Sequence, residues 1–170
     1  MALAVLTALT ALSSCRPAND WRELRPPGLG LTLSMPCRPA NNARLVSLAG
    51  QTFEMTIYAC GEGGLTYSLG LLDVADPSHV GPALSALARA AMANLEGRVE
   101  SDLASGVAGM TPHSQARHRV IVGRLPDGRP VEEHLVLFSH GLRLYQAILM
   151  GEKVDVEVAR RFIDGLKVTP

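Results

Sequence analysis

The sequence predicts an α+β domain in which a mostly antiparallel sheet is covered by two main helices. Three observations predict it. Apolar and polar residues alternate through a succession of short segments, the two-residue period of strands. Brief turn signatures join those segments, which favours antiparallel neighbours over parallel crossovers. Two longer stretches repeat their apolar residues at helical spacing instead. A chain of 170 residues suits one such domain, and 47% hydrophobic residues supply the material for its core.

The strands begin at residues 30–35, where Gly-Leu-Thr-Leu-Ser-Met alternates as a half-buried strand does. Residues 44–49 form a weaker strand. In residues 52–58 the side chains of Phe53, Met55 and Ile57 point one way, and Thr52, Glu54 and Thr56 the other. Gly61-Glu62-Gly63-Gly64 then turns the chain into residues 65–74, with Leu65, Tyr67, Leu69 and Leu71 on one face. At Asp76-Pro77-Ser78 the period changes, and Ser78 is the expected helix cap. Val80, Leu84, Leu87, Ala91 and Leu95 define one apolar stripe, which Gly97 ends. Strands resume at residues 99–103 and 116–125, turn at Pro126-Asp127-Gly128, and return through 131–139. His140-Gly141 makes the next turn before residues 142–150. A closing helix is expected over 155–167, with Ala159, Phe162, Ile163 and Leu166 sharing a face.

Ahead of the domain, residues 2–12 are an apolar run interrupted only by Thr7 and Thr10. That is the length of a signal-peptide core and too short for the roughly 20 residues of a membrane-spanning helix. Leu12-Ser13-Ser14-Cys15 follows at once. A branched apolar residue, two small residues and a cysteine resemble the lipobox of bacterial lipoproteins. The resemblance implies cleavage before Cys15 and acylation of its thiol. No Lys or Arg lies between Met1 and Cys15, where such signals ordinarily carry positive charge. A start codon upstream of Met1 would account for that. The expected organisation is a signal over residues 1–14, the lipidated Cys15 and a tether over 15–28, and one α+β domain over 29–170. Pro17, Pro26, Pro27 and Gly28 mark the tether.

Setting Cys15 aside leaves Cys37 and Cys60, an even number in a compartment that oxidises thiols. Each stands at the end of a strand-like run, and two such ends joined by a hairpin come within disulfide distance. Their spacing matches no zinc pattern and no Cys-x-x-Cys motif. A structural disulfide is expected.

The layout resembles a known group. Leu31-Thr32-Leu33-Ser34-Met35-Pro36, the central amphipathic helix, Leu144-Tyr145-Gln146-Ala147-Ile148 and the segment from Ala159 to Leu166 look like PsbP-like α/β/α sandwich domains. These include extrinsic photosystem subunits, a Ran-binding import factor and many uncharacterised bacterial lipoproteins. The resemblance spans most of residues 29–168. It implies the fold and a non-catalytic binding or assembly role, and it carries over no site residue, because its members do unrelated jobs.

Chemistry is sparse. Lys+Arg and Asp+Glu are both 16, so no basic field draws nucleic acid. No Gly-x-Ser-x-Gly, His-Glu-x-x-His or EF-hand pattern occurs, and Gly61-Glu62-Gly63-Gly64 precedes a strand where a dinucleotide loop needs a helix. His118 and His134 fall on strands that pair through the Pro126-Asp127-Gly128 turn, with Glu132 on the His134 face, so a two-His, one-carboxylate metal site is a candidate. Against it, Glu132 and His134 alternate with Val131, Leu135 and Leu137 as a solvent face would. Arg117, Arg119, Arg124 and Arg143 form either an anion patch or a charged sheet edge. Glu132 and Glu133 face opposite ways and make no acid–base pair.

The reading is a non-catalytic, membrane-anchored envelope lipoprotein without a cofactor, facing the periplasm or cell exterior. Its expected partners are the membrane, through Cys15, and an envelope protein or component. Alternatives are a small-ligand carrier binding between sheet and helix, and a metal-dependent enzyme built on His118 and His134.

Overall fold

The computed structural model describes residues 20–169. Cys15 and the expected signal lie outside them. In chain order the elements are β1 (Arg22–Leu24), β2 (Leu31–Met35), β3 (Ala40–Leu48), β4 (Gln51–Glu62), β5 (Leu65–Asp73), α1 (Val80–Asn94), β6 (Arg98–Ala104), β7 (Arg117–Arg124), β8 (Pro130–His140), β9 (Arg143–Gly151), α2 (Val156–Asp164) and β10 (Lys167–Val168). The fold is α+β, as the alternation and turn signals imply. Seven strands form one antiparallel sheet in the order β3-β4-β5-β9-β8-β7-β6, and a small second sheet has the order β1-β2-β10.

The large sheet is covered on both faces. On one, Leu84, Leu87, Ala88 and Ala91 of α1 pack with Leu72, Ile121, Leu135, Leu137 and Leu144. On the other, Ala159 and Phe162 of α2 and Leu31, Leu33 and Met35 of β2 pack with Tyr67, Leu69, Phe138, Tyr145 and Leu149. Successive residues of β8 therefore feed different cores: Leu135 and Leu137 one, Val136 and Phe138 the other. This corrects the expected solvent face on β8. Both sides of an interior strand are enclosed, so its polar residues go inside with the rest, and His134 is only 8% exposed. The same enclosure buries Thr32 of β2, which the alternation placed outward.

Local chemistry sets the helix ends. Asp76, not Ser78, caps the first helical turn: its carboxylate accepts from the Ser78 backbone N–H at 2.8 Å and from the Ser78 hydroxyl at 2.7 Å. Asp155 caps α2, accepting from the backbone of Glu157 and Val158. At the end of α1 the left-handed residue is Glu96, at φ 45°, while Gly97 serves packing: a Cβ there would stand 2.6 Å from Ile121 Cγ2. Helix α2 stops at Asp164 instead of reaching residue 167. A Cβ at Gly165 would lie 2.6 Å from the Ser34 Cβ, so a glycine lets the chain pass β2 and pair with it as β10.

Cys37 and Cys60 are disulfide-bonded, with their Cα atoms 6.0 Å apart. Cys37 follows β2 of the small sheet and Cys60 lies in β4 of the large one, so the bond staples one sheet to the other. Within the stretch read as tether, Arg22–Leu24 pairs antiparallel with β2. Trp21 beside it meets Tyr67 edge-on, with ring centroids 5.6 Å apart, and the Arg161 guanidinium lies over its ring at 4.9 Å.

Candidate functional site

The polar residues of greatest chemical interest lie where β7, β8 and β9 run side by side. Val120 registers with His134, and His134 with Leu149, while His118 registers with Val136. His118 and His134 are therefore diagonal neighbours on one face, the face of the α2 core. Their rings stack with centroids 5.5 Å apart and 30° between planes. His118 Nε2 is 3.3 Å from His134 Nδ1, and His134 Nε2 is 3.1 Å from Glu132 Oε1. A carboxylate, a buried imidazole and a half-buried imidazole thus form one hydrogen-bonded chain.

The chain fixes its own tautomers. Glu132 accepts from His134 Nε2–H, which leaves His134 Nδ1 as the acceptor for a proton on His118 Nε2. Burial, and secondarily the neighbouring His134, push the His118 pKa below its ordinary value, so His118 is held neutral at neutral pH. The sequence expectation that these three residues meet is fulfilled in space. Glu132, however, sits behind His134 on its far nitrogen instead of converging with the other two, and among the described residues no three His, Cys, Asp or Glu side chains gather around one metal position.

Glu133 points the other way, toward α1. It registers with Ile121 and Met150, and Val131 and Leu135 flank it along the same face. It is 4% exposed, its Oε1 finds no hydrogen-bond partner among the described residues, and burial raises its pKa to about 7. The alternation of β8 sets Glu133 apart from Glu132, since it falls in register with Val131, Leu135 and Leu137. Its burial is completed in the tertiary structure, where α1 closes over that face.

The four arginines do not share a patch. Arg117 and Arg119 face α1 and both hold Asp102 of β6, at 2.7 and 3.1 Å. Burial alone would raise the Asp102 pKa, but the hydrogen bonds from Arg117 and Arg119 outweigh it and keep the carboxyl below its usual range. Arg124 donates to the Gly128 carbonyl within the turn. Arg143 is bidentate to Asp73, at 2.7 and 2.8 Å, and also reaches the Gly28 carbonyl. Arg124 registers with Pro130 and Arg143 with His140, at opposite ends of β8.

Two surface grooves flank the helices. One, of about 600 Å³, runs along α2 and is lined by Glu23, Glu157, Arg160, Arg161, Asp164 and Lys167 among others, so acids and bases are balanced. The second, of about 340 Å³, lies between α1 and the β6–β7 edge beside Arg89, Met92, Asp102 and Arg119. Both are open, with linings that mix polar and apolar surface about equally. The space between the sheet and α1, where a carrier would hold an apolar ligand, is filled by the fully buried Leu84, Ile121, Leu135 and Leu137. No family model matches the chain, and no curated protein matches it in sequence.

Proposed function

We propose that this chain is a lipid-anchored lipoprotein of the bacterial envelope, held through Cys15, whose domain acts without catalysis by binding a protein or another envelope component. The observation that carries the reading is the run of apolar residues ending at Leu12-Ser13-Ser14-Cys15, signal-length and closed by a lipobox-like tetrapeptide. The Cys37–Cys60 disulfide supports it, because such bonds persist in oxidising compartments and are rare in a reducing cytosol. Each buried methylene of an acyl chain adds about 0.8 kcal/mol, so a multiply acylated Cys15 makes a lasting anchor. Four residues lie between Cys15 and Asp20, five Cα–Cα steps and so a leash of at most about 18 Å when extended. A domain so tethered works close to the bilayer, on partners within that reach.

The test is an intact mass of the protein taken from native membranes without reductant. The expected species starts at Cys15, carries added lipid mass, and gains two hydrogens on reduction. An unmodified chain starting at Met1 with free thiols would overturn the reading and return the partner search to the cytoplasm.

A further inference from the structure

We propose that His118 Nε2 and His134 Nδ1 form a two-nitrogen site for a borderline divalent cation of the Zn²⁺ class, with Glu132 as the carboxylate that orients His134. The two nitrogens face one another at 3.3 Å. With Zn–N bonds of about 2.05 Å, that separation subtends roughly 107° at the metal, close to the tetrahedral angle. Behind His134, Glu132 holds Nε2 at 3.1 Å, the carboxylate–histidine arrangement that fixes a ligand's tautomer and raises its basicity. His134 Nδ1 already presents a lone pair. His118 needs only to carry its proton on Nδ1 instead of Nε2, a tautomer exchange with no net proton change.

The surroundings suit a cation. Glu132 is an acid on that face, while Arg117 and Arg119 register with Leu137 and Leu135 and so point to the opposite face, bound to Asp102. His118 is half-buried, which gives an ion a way in, and Leu103, its partner on the edge strand β6, is exposed beside it. Water completes the coordination.

The experiment titrates Zn²⁺ into the chelator-stripped full chain by calorimetry at neutral pH. One Zn²⁺ per chain is expected, with affinity reduced at least about tenfold in His118→Gln and in His134→Gln, and about tenfold in Glu132→Gln. His140→Gln serves as the unchanged control. Because His134 is buried, its variant is read beside imidazole ¹H–¹⁵N spectra of the wild type, in which Zn²⁺ shifts His118 and His134 ahead of His79, His113 and His140. Absence of binding, binding that His118→Gln leaves intact, or shifts confined to the other three histidines would each overturn the proposal.

Discussion

Glu133 makes the stability of this domain depend on pH in a direction opposite to ordinary acid denaturation. Its carboxyl is enclosed by Ile121, Met150, Val131 and Leu135, and its Oε1 has no partner among the described residues. Desolvation raises its pKa from 4.5 to about 7. Between those values the folded protein keeps a proton that the unfolded chain releases. The stabilisation is therefore fully present below pH 4.5 and is lost as pH rises through about 7. At about 1.4 kcal/mol for each tenfold change in proton affinity, full ionisation costs about 3 kcal/mol, of which about 2.5 kcal/mol falls between pH 5 and pH 8. Glu133→Gln keeps the shape and removes the charge. Urea unfolding of both proteins across that range, with slopes compared to secure the midpoints, gives the difference directly. The variant should match the wild type within about 1 kcal/mol at pH 5 and exceed it by about 3 kcal/mol at pH 8. His118 works the other way, since its lowered pKa costs stability as pH falls below 6.5, but it is present in both proteins and cancels in the difference. Parallel pH profiles for the two proteins would refute the reasoning, for they would mean that Glu133 is solvated or paired.

Other perturbations have equally definite outcomes. Replacing Cys37 and Cys60 together by Ala frees a loop with a sequence separation of 23 and should cost about 3.5 kcal/mol, read as a lower denaturant midpoint that reductant no longer changes. Gly123→Ala places a Cβ 2.3 Å from the Leu95 carbonyl oxygen, a rigid neighbour, and should destabilise by about 1–3 kcal/mol in thermal unfolding. Phe162→Ala empties a fully buried site against Tyr67 and should cost about 3–5 kcal/mol. In the β3–β4 turn Ala49 sits at φ 50°, so Ala49→Gly should raise stability, by up to about 1 kcal/mol; a loss would place the strain elsewhere.

What was legible in the sequence followed the strength of the local signal. Gly63-Gly64, both at positive φ, and Pro126-Asp127-Gly128 announce their hairpins because only certain residues suit those turns. The stripe from Val80 to Leu95 announces α1 because five apolar residues recur on one side. Strands β1 and β10, of three and two residues, are too short to show any period; β1 exists because β2 offers backbone to pair with, and β10 because β2 and Ala108 both do. Strand β3 begins at Ala40 rather than residue 44, although Asn41 and Asn42 are poor strand formers, because β4 supplies an unbroken ladder opposite them. The disulfide was legible from parity and from the strand ends where its cysteines stand, but its role in joining two sheets was not.

The candidate site shows the same division within two adjacent residues. Glu132 and Glu133 are identical in type, and alternation alone correctly sends them to opposite faces of β8. The alternation groups Glu133 with Val131 and Leu135 and Glu132 with His134, and the tertiary structure turns that grouping into different fates. The Glu132 face presents a histidine two residues along the strand and a second histidine diagonally across on β7, so its carboxylate gains a donor. The Glu133 face is roofed by α1 with apolar side chains, so its carboxylate gains none. An unpaired acid in an interior strand weakens the fold near neutral pH, whereas a paired acid behind an imidazole pair prepares two nitrogens for a ligand. One substitution at each position separates these roles. Glu133→Gln should move stability and leave Zn²⁺ affinity alone, while Glu132→Gln should do the reverse, apart from the loss of about 1 kcal/mol expected for one hydrogen bond. If Glu133→Gln changed Zn²⁺ affinity, or Glu132→Gln shifted the pH profile of stability as Glu133→Gln does, the two faces of β8 would not be independent, and the separation argued from strand register would fail.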